Sequence, residues 1–153
     1  MNSKSKTVNV SNLQFQLDVE DDWPPVGIES LPFRIDVDGY KLLKPPLFVK
    51  GLSVGDVIRP TLDGGGTVSS WSHQTRSGRT TLWLLRLDEP NNLEQVLEKL
   101  LELGCNVVKL PQYGCYSIDV PAEVKIGDID AVLDELNPEF VACAFPSMRH
   151  AED

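Results

Sequence analysis

His73 follows Ser69 and Ser70 closely enough in sequence for an imidazole and a hydroxyl to be imagined as base and nucleophile of an acyl-transfer site. No strained nucleophile turn surrounds either serine, so the three are read as solvated residues of a polar segment. The other histidine, His150, stands in the C-terminal tail. Gly64-Gly65-Gly66 has the flexibility to cradle a phosphate but lacks the Lys-Ser/Thr that would follow, and it precedes a strand-like run. A hairpin tip is the expectation there. Cys105, Cys115 and Cys143 are odd in number and show no CxxC or Cys/His spacing, which leaves reduced, buried, structural thiols and no metal. Carboxylates are plentiful, but on exposed helix faces they lack the burial that tunes an acid or base. The expectation is a protein without catalytic residues, cofactor or metal.

The carboxylates do carry a signal in their placement. Residues 1–79 balance nine acids against nine bases, whereas residues 80–153 hold fourteen acids against five bases, so the net charge of −9 resides in the second part. Glu94, Glu98 and Glu102 recur every fourth residue on one outer helix face, and Asp130, Asp134 and Glu135 lie mostly opposite the apolar stripe of a second helix. A charged outer face is what any amphipathic helix needs. Crowding so many like charges also makes a docking surface for a basic protein partner. The same field repels phosphate, and Lys41, Lys44, Lys50, Arg76 and Arg79 are too scattered to form a basic patch. Trp83 and Tyr116 fall where an RNA-binding sheet would stack bases, but Asp119 interrupts that signature and both are read as packing residues.

These residues must be positioned by two differently built parts. Thr80 to Met148 reads strand, helix, strand, strand, helix, strand. The first strand, Thr80 to Leu87, runs apolar and ends at Asp88-Glu89-Pro90. Asn91 with Glu94 offers a capping box to a helix whose Leu93, Val96, Leu97, Leu100 and Leu101 share a face, and Gly104 closes it. Pro111-Gln112-Tyr113-Gly114 turns one strand into the next. Ile129, Val132, Leu133 and Leu136 form the second helical stripe, and Phe140 to Phe145 the last strand. This order is the ferredoxin-like βαββαβ unit. Its first and last strands are apolar on both faces, so helices must cover one face and the N-terminal strands or a homodimer mate the other.

From Leu13 to Trp71 short alternating runs are broken by Trp23-Pro24-Pro25, Asp38-Gly39, Pro45-Pro46, Gly55-Asp56 and the three glycines, the pattern of a small β barrel or curled sheet. The expected organisation is α+β: a tail at 1–12, a barrel-like β subdomain at 13–79 packed on a ferredoxin-like subdomain at 80–148, and a tail at 149–153. The N-terminus has no apolar leader, no run is long enough to cross a bilayer, and the cysteines fit a reducing cytoplasm.

Five stretches together resemble the bacterial domain-of-unknown-function family 4265: Asp22-Trp23-Pro24-Pro25 with Glu29, Phe48 to Val57, Ser77-Gly78-Arg79-Thr80-Thr81, Leu103-Gly104-Cys105 and Ile118-Asp119-Val120-Pro121. The likeness spans Leu13 to Phe145. It implies a small bacterial cytoplasmic protein and brings no activity, cofactor or catalytic residue. The Trp-Pro-Pro segment with Glu29 and the Gly55-Asp56 turn are candidates for a family binding site, but the expectation for each is structural: Trp23 as a core or inter-subdomain plug, and Gly55 as a turn needing positive φ.

Two functions fit this reading. The first is a protein-binding neutraliser, immunity- or antitoxin-like, whose Glu94, Glu98, Glu102, Asp130, Asp134 and Glu135 meet a basic toxin domain. The alternative is a small-molecule-binding or regulatory domain, monomeric or homodimeric, with its ligand between the subdomains near Trp23, Glu29, Trp71 and Trp83.

Overall fold

The computed structural model describes residues 9–89 and 91–151. Among them nine strands and two α-helices form an α+β structure of two antiparallel sheets. The first sheet contains β1 (Val10–Gln16), β2 (Ile28–Asp36), β3 (Gly39–Leu42), β4 (Val57–Asp63) and β5 (Thr67–Thr75), each paired with the next. A short parallel contact of Gln14 and Phe15 with Thr67 and Val68 joins its first strand to its last. Alternation fixes which side faces in: Leu13 and Phe15 on β1, and Leu31 and Phe33 on β2, are buried with Leu42, Leu52 and Ile58. A one-residue slip would expose that whole set, and the observed register sets Leu13 opposite Leu31.

The second sheet has the order β7 (Asn106–Leu110), β8 (Cys115–Val120), β6 (Thr80–Arg86), β9 (Val141–Ser147), with every neighbouring pair antiparallel. The apolar run at Thr80 thus lies inside the sheet. Helices α1 (Leu93–Glu102) and α2 (Ile126–Leu133) cover one face, where Leu82 and Leu84 meet Val96, Leu97, Leu100 and Ile129. Each fully buried Leu or Val contributes about 1.5–3 kcal/mol by leaving water.

The boundaries depart from expectation in places. Strand β1 begins at Val10, inside the stretch expected to be a tail, while residues 1–8 of that tail and 152–153 of the other lie outside the described residues, as does Pro90 of the predicted turn. Asn92, not Asn91, occupies the N-cap of α1; Asn91 instead accepts the Leu93 N–H at 3.1 Å, and Glu94 reaches Lys109 at 3.3 Å. Leu101 is half exposed because the helical stripe is narrower than its apolar residues. Strand β9 runs on to Ser147 through Pro146, at the sheet edge where proline costs no ladder bond.

The other face of the second sheet is met by the chain's own 44–56 segment. The buried Pro46 carbonyl accepts from Trp83 Nε1 at 2.7 Å and from Ser117 Oγ at 2.6 Å, which occupies both its lone pairs. Nearby, Thr81 Oγ1 donates to the Leu52 carbonyl at 3.0 Å, and Ser53 Oγ lies 2.6 Å from Ser147 Oγ.

Candidate functional site

Between the two sheets, where that cover stops, a cleft of about 710 Å³ opens. Strand alternation builds one wall: Leu82 and Leu84 turn to the helices, so Trp83 and Leu85 turn the other way, and Ala142 and Ala144, their partners on the neighbouring β9, complete that surface. The opposite wall is Phe15 and Leu17 from β1 and its extension, Trp71 from β5, and Phe48. Trp23 stands at the lip, 48% exposed, edge-on to Phe48 with ring centroids 6.1 Å apart. It is therefore not a buried plug. The chain has three tryptophans, and all three line this cleft.

A tight turn sets the lip. Glu20 and Trp23 exchange two backbone hydrogen bonds, at 2.9 and 3.0 Å, around Asp21 and Asp22, both in the left-handed region with φ 53° and 63°. Two successive positive φ values are the signature of the hairpin turn that matches strand twist. Asp18, Glu20 and Asp21 line the cleft here, and among the described residues Lys50 is the only basic one to do so.

Glu29 does not line the cleft. Its carboxylate accepts the backbone N–H groups of Leu47, Phe48 and Val49 at 2.6, 2.9 and 3.0 Å, so it holds the segment that forms one wall. Burial pushes this carboxyl up, and the three N–H bonds only partly pull it back. The side chain is spent on backbone and unfree for a ligand.

Asp56, read from the sequence only as part of a turn, forms a second polar centre. It is fully buried and accepts from Arg149 Nη1 and Nη2, the Ser77 and Ser53 amides, and His73 Nε2, all at 2.8–3.0 Å. Burial pushes its carboxyl up, but Arg149, those amides and His73 outweigh it and hold the group below its ordinary value. His73, expected in a solvated connector, thus lies on β5 as a donor to Asp56, and Nε2 carries the proton. Gly55 beside it has φ 88°, the positive value expected, with Ser77 Cβ only 3.2 Å from where a side chain would start. His150 is equally committed: Nε2 donates to the Pro121 carbonyl at 2.9 Å, which leaves Nδ1 to accept from Thr80 Oγ1 at 2.6 Å.

Asp119, the residue that interrupts the RNA-binding pattern, is buried and gripped by Arg79 Nε and Nη2 at 2.8 and 2.6 Å and by Asn106 at 2.9 Å. Arg79 is accordingly spent on an ion pair. Tyr116 is buried in the helix-covered core. Cys105 and Cys115 are buried, and burial pushes the Cys105 thiol up to about 11. Cys143 corrects the expectation of three buried thiols, since it is exposed on the edge strand β9. Among the described residues no group of His, Cys, Asp and Glu could hold a metal ion, and no helix is long and apolar enough to cross a membrane.

All six carboxylates of the expected docking face are exposed on or just beyond the two helices. Glu135 pairs with Lys99 at 2.6 Å and Glu94 with Lys109. Glu98, Glu102, Asp130 and Asp134 have no ion-pair partner among the described residues.

The chain is similar in fold to a solved structure described as a novel crystal structure of a hypothetical protein from Neisseria gonorrhoeae, with 16% identity, TM-score 0.67, and coverage of 92% of this chain and 98% of that one. No curated protein matches the sequence. The family model described as domain of unknown function DUF4265 matches residues 29–142, a span that takes in the wall segment held by Glu29, Asp56 with His73 but not Arg149, and both helices, and the chain belongs to that family.

Proposed function

We propose that this protein is a non-enzymatic small-molecule-binding module, with its ligand held in the cleft between a barrel-like β1–β5 unit and a ferredoxin-like unit at residues 80–147. The observation that carries this reading is the convergence of Trp23, Trp71 and Trp83 on one concavity of about 710 Å³. Such a volume falls in the range of roughly 300–1,000 Å³ typical of small-molecule pockets, which are mainly apolar with a few polar groups. Tryptophan left partly exposed costs solubility, so three of them around one opening favour a binding role. The cleft walls come from rigid strands and from a segment fixed by Glu29, which supports a preformed site. Three unpaired cysteines accord with a reducing, cytoplasmic setting.

Backbone NMR during a fragment screen tests this. Bound fragments are expected to shift amides of Phe48, Val49, Trp83 and Ala144, and Trp23→Ala is expected to weaken them. Fragments that shift only the helical residues 93–102 and 126–133, or a screen without hits, would overturn the reading.

A second reading, docking of a basic partner such as a toxin domain on the acidic helices, is favoured by the four exposed carboxylates without ion-pair partners among the described residues. The helices cover the sheet face opposite the cleft, so the two sites would be independent.

A further inference from the structure

The charges around the cleft are one-sided. Among the described residues Asp18, Glu20 and Asp21 line it against Lys50 alone, although residues 1–79 as a whole are neutral. All three carboxylates are exposed and sit on the hairpin that also carries Trp23. Aromatic side chains supply the interior, and the face of an indole carries negative electrostatic potential. Rim and wall therefore select in the same direction. An anion would meet three carboxylates on entry, and a neutral apolar molecule would gain burial but nothing from the rim. A cation with an apolar body would gain from both.

We propose that the ligand is a small organic cation, an amine or quaternary ammonium with apolar substituents, steered by Asp18, Glu20 and Asp21 and held against the tryptophans. This rests on the cleft being the ligand site and adds the ligand's charge. Carboxylates attract the cation from solution, and desolvation at the indoles strengthens the contact once it is inside. Trp83 is poised for this role, because its ring nitrogen is anchored on the Pro46 carbonyl and its orientation is fixed before binding.

Because every tryptophan of the chain lines the cleft, intrinsic fluorescence reports on this site alone. The full chain would be titrated with choline, with its neutral isostere carrying a tert-butyl group in place of trimethylammonium, and with the carboxylate bearing the same tert-butyl group. Choline is expected to bind about tenfold more tightly than the neutral isostere, with the carboxylate weakest, and high salt should narrow the gap. The Asp18→Asn, Asp21→Asn double variant, changed only at exposed positions, should lose most of that preference while its affinity for the neutral isostere is unaltered. Equal binding of choline and isostere would overturn the cationic ligand yet leave the cleft as a binding site. If no probe alters the fluorescence of the folded protein, both fall together.

Discussion

Arg149 places both terminal nitrogens on the Asp56 carboxylate, at 2.8 and 2.9 Å, and joins residues 93 positions apart in the chain. The arginine comes just after β9 of the second sheet and the aspartate just before β4 of the first. Arg149 Nη1 also donates to the Ser77 carbonyl at 2.8 Å, so the same fork reaches the connector between the sheets. A residue assigned by sequence to a loose tail is thus the clasp between the two halves.

Removing one side of this clasp leaves the other charge buried. Arg149→Met is expected to cost about 3–5 kcal/mol, the range for a buried pair broken from one side. Urea unfolding measures it as a lowered midpoint with a slope near that of wild type. A loss below about 1 kcal/mol would place the pair among weak surface bridges.

The acid limb of stability should follow Asp56. Its folded-state pKa is held below the ordinary 3.8, so the unfolded chain binds the proton more readily. Its contribution is present above about pH 4 and is lost as pH falls through the folded value. Glu29 has the opposite sign: its folded pKa is raised from 4.5, so its contribution is full below that value and is lost as pH rises through the folded one. Denaturation curves from pH 2 to 7 for wild type and Asp56→Asn should show a shallower acid limb in the variant. Parallel curves would remove Asp56 as the cause.

Periodicity made much of this fold legible. The stripe Leu93, Val96, Leu97, Leu100 and the interior strand at Thr80 follow from apolar spacing and burial, which are local properties of the chain. The tryptophans were legible as neighbours because apolar residues on both faces of β6 require a cover. Polar partnerships were not. Nothing in the residues near Asp56 announces an arginine 93 positions away, and Glu29 looked free because its partners are backbone amides. His73 and His150 lay in polar stretches, and only the fold brings Asp56 and Thr80 to them.

Thiol chemistry should separate the cysteines. In the native protein a maleimide is expected to modify Cys143 first, since Cys105 and Cys115 are buried and Cys105 is pushed up to about 11. Mass spectrometry should count one label on the folded chain and three after unfolding. Faster labelling of Cys105 than of Cys143 would contradict the burial order.

The acidic helices make the last prediction. Glu98 and Asp134 are exposed and without ion-pair partners among the described residues, so replacing both with Lys should change stability by no more than about 0.5 kcal/mol. Relief of like-charge repulsion along Glu94, Glu98 and Glu102 should even make the change slightly favourable, by a few tenths of a kcal/mol. Association with a basic partner should respond far more, because rim charges act on the encounter rate. About a tenfold slower association, with a weaker salt dependence, is expected in stopped-flow or surface-based kinetics against a co-expressed neighbouring gene product of basic charge. The same partner should bind undiminished to Trp23→Ala, whose altered side chain lies at the cleft beyond the opposite sheet face. Binding that ignores both the charge swap and salt would mean that the helices carry their carboxylates for solvation alone.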